Sequence, residues 1–270
     1  MSGRATFILL VMTITLGSCA ARRGVLDQAQ AAWDQGDYNK AASLYEEFIS
    51  SNKGKDTVTP VQFKLANIYF YNLKQHERAI QHYIAIVEDD PTSPNVDNAK
   101  LRIAECYVAL GKLKEAVSEY ESLSRNHHTE VDLRRIRLNI ADLYYDLNDL
   151  GQALAEYQKV VETPLYDDIA QRSWLRIAGI RFLRDEFGDA LRAYQVLAEK
   201  TSDPDIRRQA RFGIADCLER TFEYDLAVSI LEQTEADARN PDYIPKRIAS
   251  IRQHQKERNL GNPLESKVFN

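Results

Sequence analysis

One short motif returns six times along this 270-residue chain, and its spacing is nearly constant. In five copies an alanine is followed four residues later by a tyrosine, and in the sixth by a leucine. The six copies are Ala41–Tyr45, Ala79–Tyr83, Ala116–Tyr120, Ala153–Tyr157, Ala190–Tyr194 and Ala227–Leu231. Successive alanines recur with a period of about 37 residues, which predicts stacked helical hairpins rather than a bundle or coiled coil, since those need no such repetition.

A second set of alanines lies upstream of the first, and it divides each repeat into two helices. The interval between the two alanines is the same in five repeats and longer by one residue in the second. Apolar residues recur with helical spacing in both halves, so each half is predicted to be an amphipathic helix. Gly36 and Gly111 fall between the halves, where a turn needs a left-handed residue. The upstream alanines are Ala29, Ala66, Ala104, Ala141, Ala178 and Ala215.

This pattern resembles the tetratricopeptide repeat, which has small residues at its eighth and twentieth positions and aromatic residues at its eleventh and twenty-fourth. Asp90-Pro91 ends the second repeat where that family places a proline. The resemblance covers residues 22–240 and implies an all-α fold, a right-handed superhelical solenoid of about six helical hairpins with a C-terminal capping helix. The expected repeats are 22–59, 60–96, 97–133, 134–170, 171–207 and 208–240.

Both ends of the chain depart from the repeat. Pro241 and Pro245 interrupt the pattern, and we expect a capping helix over 241–258 followed by a flexible tail over 259–270. At the other end, Arg4 precedes an apolar run, Phe7–Leu16, that is too short to span a bilayer, which needs about 20 residues. Residues 1–18 therefore have the order of a cleaved export signal.

The end of that segment, Leu16-Gly17-Ser18-Cys19, resembles the lipobox of bacterial lipoproteins. The resemblance implies that Cys19 is acylated and becomes the mature N-terminus, so the chain is anchored to a membrane without spanning it. Ala20 stands where an inner-membrane retention signal would place aspartate, which favours the periplasmic face of the outer membrane. An ordinary secretory signal with an incidental cysteine, or a chance apolar terminus, is the alternative.

A lipobox followed by these repeats is similar to the BamD/YfiO outer-membrane assembly lipoproteins and to the repeat protein of the Tol-Pal system. The resemblance implies a non-enzymatic, membrane-anchored scaffold that binds protein partners of the cell envelope, with a role in outer-membrane protein assembly. The alternatives are an accessory lipoprotein of an envelope export, pilus or cell-wall machinery, or a regulator of peptidoglycan enzymes.

Charge and reactive residues narrow the partner class further. A formal net charge of −5 argues against nucleic acid as the main partner. We expect two arginine clusters to form solvated helix faces, and we expect Cys106 and Cys217 to be buried without a disulfide. The adjacent histidines at 127–128 lack a third ligand nearby, and the sequence has no glycine-rich phosphate loop, nucleophile elbow or His-Glu-x-x-His motif. No metal, cofactor, small-molecule substrate or catalysis is therefore predicted. The clusters are Arg134, Arg135 and Arg137, and Arg207, Arg208 and Arg211.

The resemblance also points to a binding groove. In this family the first helix of each hairpin lines the concave side, and its twelfth position often faces the groove. Counted from the eighth position, five of the six twelfth-position residues are apolar and form a stripe along the first helices. Such a stripe fits either a groove or the core between repeats. The twelfth positions are Trp33, Phe70, Val108, Tyr145, Phe182 and Glu219, and the polar groove candidates are Asn67, Arg102, Asn139 and Arg176.

Overall fold

The computed structural model describes residues 24–55, 57–125, 130–234 and 240–261. The chain forms two compact units, Met1–His127 and His128–Asn270. All regular structure in the described residues is helical, and twelve of the thirteen helices pair into six hairpins. The predictions of an all-α fold and of about six hairpins are therefore confirmed.

The N-terminal unit contains three hairpins: α1 with α2, α3 with α4, and α5 with α6. The end of α3 continues into a π-helical turn, Ile68–Asn72. The helices are α1 at 24–34, α2 at Tyr38–Ser51, α3 at Val58–Asn67, α4 at His76–Asp89, α5 at Val96–Ala109 and α6 at Leu113–Ser124.

The C-terminal unit contains three further hairpins, α7 with α8, α9 with α10, and α11 with α12, and then a last helix that packs on α12. The helices are α7 at Glu130–Asp146, α8 at Leu150–Val161, α9 at Asp168–Leu183, α10 at Phe187–Lys200, α11 at Pro204–Arg220, α12 at Tyr224–Glu232 and α13 at Tyr243–Gly261.

The repeated alanines lie where helices cross. All six alanines of the main motif are fully buried, and the upstream set is at most 1% exposed. Short side chains let two helices approach closely, and the tyrosine one turn later fills the space beside the crossing. The alanine spacing thus marks the core of each hairpin.

The turn inside every hairpin has one residue in the left-handed region, at the same position in each repeat. Gly36 and Gly111 have φ of 78° and 70°, as predicted from the sequence. Residues with side chains occupy the position in the other four hairpins, at some cost in backbone strain. These are Lys74, Asn148, Asp185 and Phe222.

Aspartates begin several of the helices. Asp37, Asp149 and Asp203 each accept a hydrogen bond from a backbone N–H in the first turn of the helix that follows. Pro204 begins α11, where a missing N–H costs nothing. These caps fix where each hairpin starts.

The first arginine cluster is only partly a solvated face. The side chain of Arg134 is only 1% exposed, and it donates two hydrogen bonds of 2.8 Å to the carboxylate of Asp167. It also donates to the carbonyl oxygens of Val160 and Leu165. Arg134 on α7 therefore holds the connector between α8 and α9, whereas the neighbouring Arg135 is exposed.

The second arginine cluster is also tied into the fold. Arg207 and Arg211 are half-buried on α11 and donate to the carbonyl oxygens of Thr201 and Gln233. The expectation of solvated faces was wrong for Arg134, Arg207 and Arg211, because their guanidinium groups reach backbone oxygens of a connector. Sequence spacing does not show those oxygens.

The capping helix is longer than predicted. α13 reaches Gly261, so residues 259–261 belong to the helix and not to a tail. Ile251 is fully buried and Ile244 nearly so, which anchors the helix. Cys106 and Cys217 are buried free thiols, as predicted, and burial raises the pKa of each to about 12.

Candidate functional site

A pocket of about 500 Å³ opens on the N-terminal unit between α1, α2 and the end of α3. Trp33 and Tyr71 line it and are 44% and 45% exposed, although both are large and largely apolar. A concave apolar surface with a few polar groups is the usual form of a ligand site. The lining residues are Gln30, Trp33, Tyr45, Lys64, Asn67, Ile68, Tyr71 and Asn72.

The π-helical turn directs Tyr71 into this pocket. Such a turn adds one residue to a helix, and this is the repeat in which the interval between the two alanines is longer by one. The extra residue moves the groove-facing position from Phe70 to Tyr71. Counting back from Ala79, rather than forward from Ala66, gives Tyr71 as the twelfth position of the repeat.

Phe70, the sequence candidate, is half-buried and does not line the pocket. Its ring packs edge-on against Tyr71 at 4.6 Å and against His76 at 5.5 Å between ring centroids. Phe70 therefore supports the wall of the pocket from behind.

Asn67 presents hydrogen-bond donors to the pocket. Its Oδ1 accepts a 2.6 Å hydrogen bond from the hydroxyl of Tyr83, the tyrosine of the same repeat. Its Nδ2 has no partner among the described residues, so two N–H groups are available on the pocket side. Burial raises the pKa of Tyr83, which keeps that hydroxyl protonated as the donor.

Both the donor and the acceptor of the Gln30 amide already form hydrogen bonds within the chain. Its Nε2 donates to Asp34 at 2.9 Å, and its Oε1 accepts from the hydroxyl of Tyr45 at 3.4 Å. Burial and then the charge of Asp34 raise the pKa of Tyr45. Gln30 is therefore a fixed part of the wall.

Three of the groove-facing aromatic residues are each followed by a basic residue on the first helix of the next repeat. The interval along the chain is the same in all three cases. Arg102 stands over the ring of Tyr71, with 5.2 Å from its guanidinium carbon to the ring centroid, and pairs with Glu105 at 2.5 Å. Lys64 stands at the same interval after Trp33 and is exposed. Among the described residues, the ammonium of Lys64 has no ion-pair or hydrogen-bond partner.

The C-terminal unit repeats the aromatic–basic pair at Tyr145 and Arg176, whose guanidinium carbon lies 4.6 Å from the ring centroid. Here the ninth-position residue, Asp142, pairs with Arg172 at 2.6 Å and accepts a 2.5 Å hydrogen bond from Tyr157. Arg176 also lies 4.0 Å from Asp142. The two cations around Tyr145, Arg172 and Arg176, therefore share the carboxylate of Asp142 within the chain.

The other predicted groove residues of this unit are half-buried. Phe182 packs edge-on against Phe187, and Arg220 lies over both rings. Asn139 is half-buried on α7 and lines neither of the two larger cavities. Glu219, the twelfth position of the last repeat, is paired with Arg247 and His254 of α13. Burial alone would raise the pKa of Glu219, but the hydrogen bonds from Arg247 and His254 lower it on balance.

A second cavity, of about 290 Å³, lies between α8, α9 and α10 beside Trp174. Its charged residues bind one another: Arg181 pairs with Asp189 at 2.7 Å, and Arg192 pairs with the same carboxylate. Its polar rim is therefore satisfied within the chain, unlike that of the N-terminal pocket.

The sequence model of the tetratricopeptide repeat matches the chain over 26–94, 63–127, 101–169 and 138–205. These overlapping matches cover residues 26–205 without a gap. The chain belongs to the tetratricopeptide repeat family. Its hairpins are therefore those of a repeat that serves as a protein-binding scaffold, and the resemblance drawn from the alanine spacing is confirmed.

Solved tetratricopeptide repeat structures share the fold at low sequence identity. The C-terminal part of a repeat protein from Cytophaga hutchinsonii has a TM-score of 0.63 at 18% identity, covering 84% of this chain and 88% of that one. A repeat protein from Parabacteroides merdae has a TM-score of 0.55 at 16% identity, covering 93% and 94%. YrrB, described as having an unusual peptide-binding site, has a TM-score of 0.53 at 18% identity, covering 80% and 99%. No curated protein matches the sequence.

Several sequence predictions fall on residues that the structure does not describe, namely Cys19, the signal 1–18, the histidines at 127–128 and the tail beyond Gly261. Across the described ranges, no three His, Cys, Asp or Glu residues gather as metal ligands. Within the same ranges, no helix combines the length and apolar character that crossing a membrane requires.

Two pocket residues, Tyr71 and Lys64, were missed in the sequence. The signal for Tyr71 was the longer interval between Ala66 and Ala79. The signal for Lys64 was its distance along the chain from Trp33, which equals the distance from Tyr71 to Arg102. Both intervals become meaningful once the stacking of neighbouring first helices is known.

Proposed function

We propose that this chain is a non-enzymatic scaffold that binds an extended segment of a partner protein in the N-terminal pocket. The observation that carries the proposal is the exposure of Trp33 and Tyr71 in a concave site that also offers the free amide N–H groups of Asn67. Aromatic anchors and backbone-directed donors are what an extended peptide needs. The peptide-binding site described for YrrB, on the same fold, supports this reading.

The proposal includes a lipid anchor at Cys19 on the periplasmic face of the outer membrane, as the lipobox-like end of the leader implies. We further propose a role in outer-membrane protein assembly. A role in envelope export, pilus or cell-wall machinery is the second candidate, and it rests on the same leader and repeats.

The anchor is tested by metabolic labelling with an alkyne-bearing palmitate in a bacterial host. The wild-type chain should be labelled and should sediment with membranes, whereas Cys19→Ser should be unlabelled and soluble. Cys106→Ala, which removes a buried thiol, is the matched control and should keep the label. Equal labelling of the Cys19→Ser variant would refute the anchor.

The partner is tested by crosslinking in membranes and mass spectrometry of what co-purifies. Wild type should recover an outer-membrane assembly barrel or its companion lipoproteins, and Trp33→Ala should recover them at least about tenfold less, since central aromatic residues dominate binding energy. Recovery of export or cell-wall proteins instead would favour the second candidate. Equal recovery by Trp33→Ala would show that the partner does not bind in the N-terminal pocket.

A further inference from the structure

We infer that the N-terminal pocket selects a large apolar side chain that lies beside a carboxylate group in the bound segment. This inference rests on the proposed function and adds the chemistry of the partner. Three features of the pocket carry it: its apolar walls, its excess of hydrogen-bond donors and the one charged residue of its described lining, Lys64.

The walls define the apolar part of the ligand. Trp33, Ile68 and Tyr71 face the cavity, and its volume of about 500 Å³ is within the range of pockets that enclose small ligands. Phe70 supports Tyr71 from behind, and Arg102 covers that ring from the next repeat. The pocket is thus held open by its own packing, so a large side chain enters with little rearrangement.

The polar groups define what accompanies that side chain. The amide of Gln30 is used at both ends within the wall, and the oxygen of Asn67 is used by Tyr83. What remains for a ligand is the Nδ2 of Asn67 and the ammonium of Lys64, which only donate, together with the Asn72 amide and the Tyr71 hydroxyl, which can donate or accept. A ligand that satisfies Asn67 and Lys64 must present acceptors, which are carbonyl or carboxylate oxygens.

The balance of charge favours the carboxylate at Lys64. The neighbouring cations are neutralised, since Arg102 pairs with Glu105 and Arg78 pairs with Glu46. Lys64 lines the pocket without a counter-ion among the described residues, and none of the eight lining residues is acidic. A bound carboxylate can therefore pair with Lys64, the one charged side chain among the described lining residues, while the carboxylate of Asp34 is held by the amide of Gln30.

The test is a selection of random nine-residue peptides displayed on phage, with the purified full-length chain as bait. Four baits are compared: wild type, Lys64→Glu, Trp33→Ala and Lys114→Glu. Lys114 is an exposed lysine of α6 outside the pocket, so its variant makes the same change in net charge. Enriched peptides are then resynthesised with capped ends, and their dissociation constants are measured.

Wild type should enrich peptides with Phe, Trp, Leu or Met one or two residues from Asp or Glu. Lys64→Glu should weaken a selected acidic peptide by about tenfold or more and should favour its Lys-substituted counterpart, because like charges then meet. Lys114→Glu should leave the affinity within about twofold of wild type. Trp33→Ala should remove the enrichment for large apolar residues.

The outcomes separate this inference from the proposed function. Enrichment that depends on Trp33 but shows no acidic preference, or an equal loss in Lys64→Glu and Lys114→Glu, overturns the inference and leaves the peptide site standing. Enrichment that is the same with and without Trp33 overturns the peptide site itself.

Discussion

The same position of the repeat has opposite surroundings in the two units. Tyr71 and Tyr145 each lie beneath an arginine that the next repeat supplies. Beside Tyr71 lies an open pocket with the exposed Trp33 and with Lys64, which has no partner among the described residues. Beside Tyr145 lies Asp142, which forms an ion pair with Arg172 and accepts a hydrogen bond from the hydroxyl of Tyr157.

The comparison shows that repeat position alone does not make a binding site. The repeat position determines which side chains lie on a given face of a hairpin. Whether those side chains can bind a ligand depends on the hydrogen bonds and ion pairs that they already form with other residues of the chain. In the last repeat, α13 supplies the partners, since Arg247 and His254 bind Glu219. Among its described residues the N-terminal unit has no such partner for Lys64, and because of that difference we place the proposed binding site in the N-terminal unit.

The largest effect is expected for a variant that removes a buried contact within the C-terminal unit. Arg134→Ala removes a buried guanidinium that makes four hydrogen bonds to the α8–α9 connector. We expect the free energy of unfolding to fall by about 3 kcal/mol, because the connector oxygens lose their donor and a cavity is left. Chemical denaturation followed by circular dichroism measures it, and peptide affinity at the N-terminal pocket should be unchanged.

Arg135→Ala is the control, since Arg135 is exposed, and it should change stability by less than about 0.5 kcal/mol. Acid provides a second readout. The hydrogen bond from Arg134 lowers the pKa of Asp167 below its ordinary value of 3.8, so its stabilising effect is present above that pH and is lost below it. The difference between wild type and Arg134→Ala should therefore shrink as the pH falls below that value. A constant difference would contradict the role assigned to the pair.

A smaller effect is expected at Tyr194, the motif tyrosine of the fifth repeat, which packs differently from Tyr45, Tyr83 and Tyr157. Tyr45 and Tyr83 bond to polar ninth-position residues through their hydroxyls, whereas the ring of Tyr194 lies directly on Gly213. A Cβ at Gly213 would meet that ring at 2.4–2.6 Å. We expect Gly213→Ala to lower the free energy of unfolding by about 2 kcal/mol through overpacking, measured as a lower thermal midpoint.

Gly188→Ala is the matched control because Gly188 is also helical and its Cβ would have only one neighbour, 4.0 Å away. It should be neutral or slightly stabilising, since alanine favours a helix. If both variants were equally stable, the close contact of Tyr194 with Gly213 would have no energetic weight.

The smallest effect concerns the hairpin turns. Phe222 occupies the left-handed turn position with φ of 68°, where the N-terminal unit has Gly111 at 70°. Phe222→Gly should leave stability within about 0.5 kcal/mol of wild type, because relief of strain is offset by the entropy that glycine adds to the unfolded chain and by loss of the ring's contacts with Tyr224 and Arg258. Gly111→Ala should lower the free energy of unfolding by about 1 kcal/mol. A near-neutral Phe222→Gly beside a destabilising Gly111→Ala in thermal denaturation supports the shared turn register, and equal losses contradict it.

The repeat made most of the fold predictable. Alanines at a fixed period mark helix crossings because only a short side chain fits there, so the six hairpins could be predicted from spacing alone. The turn position followed from Gly36 and Gly111, and the structure extends it to four residues that carry side chains.

Other features depended on contacts between distant residues. Arg134 looked like surface charge because its partner Asp167 is far along the chain, in a connector whose path the sequence does not reveal. Phe70 was chosen over Tyr71 because counting forward from Ala66 ignores the residue that the π-helical turn adds. The availability of Lys64 could not be read from the sequence either, since it depends on which carboxylates fold near it.

The central claim, that the N-terminal pocket and not its counterpart in the C-terminal unit receives the partner, is tested most directly by site-specific photocrosslinking. p-Benzoylphenylalanine is placed at Asn72 or at Asp146, the residues directly after Tyr71 and Tyr145. The account predicts a partner adduct from Asn72 that Trp33→Ala abolishes, with little or no adduct from Asp146. Equal adducts from both positions, or an Asn72 adduct that survives Trp33→Ala, would contradict it.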